Sequence, residues 1–166
     1  MNKLIEKNFV LAASQYKLLE KNTPDSLMPR FFDPAGNKSG TSNTKWWCSG
    51  FFPGSLLYIY EQTKDEEIRR IAEKRLAILE KEKYYTGNHD LGFMIYCSFG
   101  NAYRLFGKPE YKEAVMTAAG SLASRYRPAI NSIQSWNSSE RLNCPVIIDN
   151  MMNLELLYWV SDNGGD

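Results

Sequence analysis

Three residues of this sequence can move protons and stand where that ability could be used. His89, the only histidine, precedes Asp90 in T-G-N-H-D-L-G-F, and Asp149 opens D-N-M-M-N-L-E-L-L-Y-W. Each acid stands at the mouth of an apolar run of helical length. An aspartate there has two readings. It is a favoured helix N-cap, worth about 1 kcal/mol. Two carboxylates facing one cleft are also the arrangement used for acid/base work on sugars. For His89 the simpler reading is a satisfied loop or core histidine, because a lone His makes a poor ligand set.

The spacing favours a shared cleft. Asp90 lies 17 residues before Gly107, Asp149 lies 15 before Gly164, and Trp47 lies 16 before Thr63. At roughly 1.5 Å per helical residue, parallel helices put all three at one level. Two long segments rich in polar and turn-forming residues lead into that level, and they bring Trp46, Trp47, Phe51, Trp136 and Arg141 with them. Aromatic faces stack on sugar rings. The plainer readings are that Trp136 covers the edge of the core and that Phe51, Phe52 and Phe93 pack.

The elements that must hold these residues are helices. Residues 3–21 carry Leu4, Ile5, Phe9, Val10, Ala13, Tyr16 and Leu19 at helical spacing. Residues 22–44, rich in Pro, Gly, Ser, Asn and Thr, predict a long loop. A second helix is predicted over about 53–63, with Pro53 in its first turn. Asp65 is placed to cap a third, reaching about 83, whose stripe is Ile68, Ile71, Ala72, Leu76 and Leu79. A fourth, about 90–106, ends at Gly107, and Pro109 starts a fifth reaching about 125. Residues 126–146 predict another loop, and a sixth helix covers about 149–160. No segment reads as a convincing strand, although Val146, Ile147 and Ile148 could be extended.

The second, fourth and sixth helices are apolar on most sides and predict inner positions. The first, third and fifth are amphipathic and predict outer ones. Turns recur roughly every 45–55 residues, the period of a helical-hairpin repeat. The expectation is an all-α fold, an α/α toroid of about three helical hairpins.

Composition narrows the class. With 166 residues and 43% hydrophobic content the chain can build one core. Its 20 basic and 19 acidic residues leave a net charge of +1, with no electrostatic reason to expect nucleic acid or an anionic membrane as partner. No apolar run approaches the ~20 residues of a membrane span, and the first residues lack the apolar centre of a leader peptide. Cys48, Cys97 and Cys144, odd in number and widely spaced, predict reduced thiols rather than a disulfide framework or a zinc site.

W-C-S-G-F-F-P-G-S-L-L-Y-I-Y-E at 47–61, N-H-D-L-G-F at 88–93 and D-N-M-M-N-L-E-L-L-Y-W at 149–159 resemble the unsaturated glucuronyl hydrolases, glycoside hydrolase family 88. The likeness covers almost the whole chain in order. It implies an (α/α)6 barrel of six hairpins, of which residues 1–166, as a single domain, would be the N-terminal half. It implies no metal and no other cofactor. It also implies release of an unsaturated uronic acid from lyase-generated glycosaminoglycan oligosaccharides, by hydration of the sugar's C4=C5 double bond. On this resemblance Asp149 is the general acid/base and Asp90 its assistant. His89, Trp47 and Trp136 match positions near the sugar, with Arg141 the candidate for its carboxylate. The apolar neighbours Val146, Ile147, Ile148, Met151 and Met152 predict a desolvated Asp149 that holds its proton at rest.

Three hairpins leave apolar inner helices with an open side, so a homodimer or a C-terminal half that closes the ring is expected as partner. The alternative is a catalytically inactive helical fragment that serves as a sugar-binding or protein-interaction module. Relatives of this kind are periplasmic or cytoplasmic, and the sequence does not choose between the two.

Overall fold

The computed structural model describes residues 3–165. In chain order come α1 (Lys3–Lys21), the hairpin β1 (Met28–Asp33) and β2 (Lys38–Ser42), α2 (Phe51–Thr63), and α3 (Glu66–Leu79), which tightens into a 3-10 turn over Glu80–Tyr84. The next helix, α4, runs over residues 91–106. Its first part, Gly92–Gly100, is π-wound, and its last part, Asn101–Phe106, is α-helical. Then follow α5 (Pro109–Ala123), the two-residue strands β3 (Tyr126–Arg127) and β4 (Ser132–Ile133), α6 (Asn150–Asn153) and α7 (Glu155–Asp162).

Local chemistry explains most of these bounds. Asp65 accepts the N–H groups of Glu67 at 3.0 Å and Ile68 at 3.3 Å, which fixes the start of α3. Gly107 takes a left-handed φ of 64° and stops α4, and Pro109 supplies the preset first turn of α5. α2 packs on α1, α3 and α4, while α5 lies against α4 and α7. The core between them is made by Leu56, Leu57, Ile68, Leu76, Leu91, Met94, Ile95, Val115, Leu122 and Leu156. The whole predicted stripe of α3 is buried. The three successive helix pairs form part of an α/α toroid.

Arg75 pins the segment after α1. Its fully buried guanidinium donates to Glu20 at 2.6 Å and to the Thr23 and Leu27 carbonyls at 3.2 and 2.8 Å.

Four expectations are corrected. Residues 22–44 contain an antiparallel hairpin rather than loop alone, and a second, minimal hairpin lies within 126–146. The first turns through D-P-A-G-N, where Asp33 accepts the Ala35 N–H at 3.0 Å and Asn37 takes a positive φ. The predicted sixth helix breaks at Leu154 into α6 and α7. It is also not buried on both sides, since Met151, Met152 and Tyr158 are exposed. α1 leaves Val10, Leu11 and Leu18 exposed, so its apolar positions exceed what α2 and α3 cover.

Candidate active site

The segment 86–90 and the start of α6 meet across the hairpin of residues 126–136. The His89 N–H donates to the Ser135 carbonyl at 2.9 Å, and Asn88 pairs with Trp136 as an isolated antiparallel bridge. Ser135 in turn donates its N–H to the Pro145 carbonyl at 2.8 Å, while its hydroxyl accepts the Ile147 N–H at 3.0 Å. Asn150 donates to the Ile133 carbonyl at 2.6 Å. These bonds bring the Asp149 segment onto the His89–Asp90 segment, 60 residues earlier in the chain.

A further clasp works between the helices. Asn153, fully buried, accepts the Phe93 N–H at 2.9 Å and donates to the Asp149 carbonyl at 3.4 Å. α4 therefore meets α6 directly beneath both acids.

The three titratable groups converge. His89 Nε2 stands 3.5 Å from Asp90 Oδ1 and 3.6 Å from Asp149 Oδ1. The His89 side chain is 2% exposed, that of Asp90 12% and that of Asp149 41%, so the group is graded from floor to opening. Asp149 Oδ1 and His89 Nδ1 are buried without a hydrogen-bond partner. Among the described residues neither α4 nor α6 receives a side-chain cap bond at its start, so capping does not account for either acid. Burial pushes the Asp90 carboxyl above the ordinary aspartate value. The Asp149 charge adds to that rise, and His89 and Arg125 oppose it. The neighbours expected to desolvate Asp149, namely Val146, Ile147, Ile148, Met151 and Met152, are themselves all exposed, and the Asp149 side chain as a whole is only partly buried. The buried acid of the pair is Asp90.

The same three side chains each bring a possible ligand atom within 4.8 Å of the others, the one such group among the described residues. Two carboxylates bridged by an imidazole suit proton exchange equally well.

The aromatic company is real at one side. Trp47, Phe51 and Phe93 meet edge to face, with centroids 5.5 to 5.9 Å apart, and Trp47 is 43% exposed. Phe93 belongs to α4, three residues beyond Asp90, so this cluster adjoins the acids. Trp136 is 40% exposed, with its backbone bridged to Asn88. Trp46 is drawn away and stacks under Arg30, 3.9 Å from the guanidinium carbon. Arg141 is exposed, and among the described residues no hydrogen bond or ion pair ties it to the three central groups.

Sequence reasoning missed Ser135, Asn153 and Arg125. The signal for Asn153 was present: Asn150 and Asn153 are amides three residues apart in an otherwise apolar helix, both buried. Ser135 acts mainly through its backbone, and Arg125 resembles any arginine at a helix end.

No family model matches the chain. Over 125 residues, 74% of its length, it is 40% identical to an unsaturated glucuronyl hydrolase of Formosa agariphila, of which this stretch covers 31%. An unsaturated chondroitin disaccharide hydrolase of Streptococcus pneumoniae is 32% identical over 128 residues, 75% of this chain and 32% of that protein. The crystal structure of an unsaturated glucuronyl hydrolase specific for heparin superposes with a TM-score of 0.89 at 34% identity, covering 98% of this chain and 43% of the other. The enzyme of Bacillus sp. GL1, responsible for the degradation of glycosaminoglycan, gives a TM-score of 0.84 at 25% identity, over 97% of this chain and 43% of that one. The chain spans about a third of the length of the curated relatives it matches. All four are hydrolases by name, which leaves the non-catalytic module without support.

Proposed function

The chain belongs to the unsaturated glucuronyl hydrolase family, and from that premise we propose that it carries the acid/base centre for removing an unsaturated uronic acid from glycosaminoglycan oligosaccharides. The observation behind this reading is the convergence of His89 Nε2 on Oδ1 of both Asp90 and Asp149. Asp149, the more exposed acid, is the group that can reach a sugar in the opening. It delivers a proton to C4 of the C4=C5 bond, water adds to C5, and the water's proton returns to the carboxylate. The hemiketal so formed at C5 opens and rearranges, and the glycosidic bond is lost. Asp90, sunk beside His89, holds the sugar's hydroxyls and keeps the imidazole facing the pair. Trp47 and Trp136 offer exposed ring faces to the sugar.

Residues 1–166 act in this reading as a single domain, the N-terminal half of a six-hairpin barrel. Val10, Leu11 and Leu18 on α1 and Met151, Met152 and Tyr158 on α6 and α7 are exposed apolar residues at its two ends. Further helices seat there, from a C-terminal half or from a second copy, and complete the cleft. Light scattering that gives a strictly monomeric, well-folded chain, active alone, would remove the need for either.

The test is loss of the double bond's ultraviolet absorbance when the chain is incubated with unsaturated chondroitin or heparin disaccharides, with Asp149→Asn in parallel. Loss in the wild type that disappears in the variant supports the assignment. Equal rates in the two would sink it.

A further inference from the structure

Arg125, just past the C-terminal end of α5, is 3% exposed. Its hydrogen-bond acceptors are all neutral. Nε donates to the Gln134 carbonyl at 2.7 Å, and Nη1 donates to the Thr86 carbonyl and to Asn137 Oδ1, the latter at 3.3 Å. Nη2 is buried with no acceptor among the described residues. A guanidinium so deeply placed ordinarily lies against a carboxylate, because desolvating an unpaired charge is costly. Among the groups whose charge acts on Arg125, namely Arg127, Tyr85, Cys144 and Asp90, only Asp90 is a carboxylate.

The two carbonyls it joins flank the acid pair. Thr86 lies three residues before His89. Gln134 precedes Ser135, which takes the His89 N–H on its carbonyl and the Ile147 N–H on its hydroxyl, two residues short of Asp149. One planar fork therefore spans the segment that carries His89 and Asp90 and the segment that buttresses Asp149. A lysine has a single nitrogen at its tip and cannot bridge both carbonyls in this fixed geometry.

We propose that Arg125 is a positioning residue of the acid pair: its guanidinium fork sutures segment 86–90, which carries His89 and Asp90, to segment 134–137, which buttresses Asp149. It touches no substrate in this scheme and acts through His89, Asp90 and Ser135. The kinetic part of the inference rests on the hydrolase reading, and the structural part does not.

The experiment compares wild type, Arg125→Lys and Arg125→Met. Amide hydrogen exchange is followed at His89, whose N–H is held by Ser135, and at core positions of α3 and α5. Steady-state kinetics on an unsaturated chondroitin disaccharide run alongside. The expected result is at least tenfold faster exchange at His89 in both variants, with the core amides unchanged. With it goes a fall in kcat of tenfold or more, while KM stays within twofold, and the charge kept in Arg125→Lys does not restore the rate. Unchanged His89 exchange overturns the proposal whatever the activity. So does a rate loss that merely follows the folded fraction, or full rescue by Arg125→Lys. Should Arg125→Met fail to fold, Arg125→Lys alone carries both measurements. A wild type without activity shows that the helices completing the cleft are required and says nothing against Arg125, whose role the exchange data then decide.

Discussion

A Cβ on Gly92 would stand 2.6 Å from the Cα of Asn153 and 2.8 Å from its Oδ1. α4 and α6 thus touch backbone to backbone, two residues past Asp90 and four past Asp149. This contact limits how closely α4 and α6 approach near the two acids, and neither carboxylate is held by a cap bond. Gly92→Ala should cost about 1–3 kcal/mol by overpacking, measured by urea unfolding. It should also lower hydrolysis of the unsaturated disaccharide at least tenfold in the fraction that stays folded. A variant of wild-type rate would show that the acids tolerate a changed separation.

Asn153 offers a complementary probe. Asn153→Leu keeps roughly the volume but leaves the Phe93 N–H without its 2.9 Å acceptor. A stability loss of about 1–3 kcal/mol is expected for an unsatisfied buried donor. The same denaturant titration, with m unchanged, checks it.

The raised proton affinity of Asp90 makes stability depend on pH in a known direction. Burial lifts its folded-state value above the unfolded one, so the native state binds the extra proton. The stability contribution is full below the unfolded value and is lost as pH rises through the folded value. Asp90→Asn, which never ionises, should therefore melt above wild type at pH 7. That advantage should shrink as pH falls towards about 4. A melting-temperature difference that is flat across this range would contradict the burial of the charge.

Asp149→Asn should behave differently. The side chain is 41% exposed and makes no cap bond. Its melting temperature should stay within about 2 °C of wild type, in keeping with the small effect of surface substitutions, while the ultraviolet assay shows no turnover. A large thermal loss would instead assign Asp149 a structural role.

Much of the scaffold could be read from the sequence because its signals are local. The Asp65 cap, the Gly107 stop, the Pro109 start and the α3 stripe all act within one or two turns, and all are found as expected. The hairpin at 28–42 escaped because Lys38–Ser42 has no apolar alternation, although its D-P-A-G-N turn was visible. The place of Asp90 and Asp149 at the starts of their helices followed from the apolar runs they open. Their relation to His89 did not, because it depends on Ser135 and Asn153, whose partners lie 46 and 60 residues away. The environment of Asp149 was misjudged for a similar reason. Apolar neighbours in sequence are not neighbours in space when the segment lies at an edge.

The nine-residue π-wound run Gly92–Gly100 gives α4 a reserve of chain length. One end of this helix carries Asp90. The other presents Tyr103, whose ring meets Trp159 at 5.8 Å. π winding takes more residues per turn than α winding, so the run accommodates residues that a regular helix of the same height would not. Deleting one lets the tighter winding take over between the same two ends, with Tyr103 still on Trp159 and Asp90 still facing His89. In a regular helix, where each residue turns the chain by about 100°, the same deletion would be an error of phase, and here the π run absorbs it.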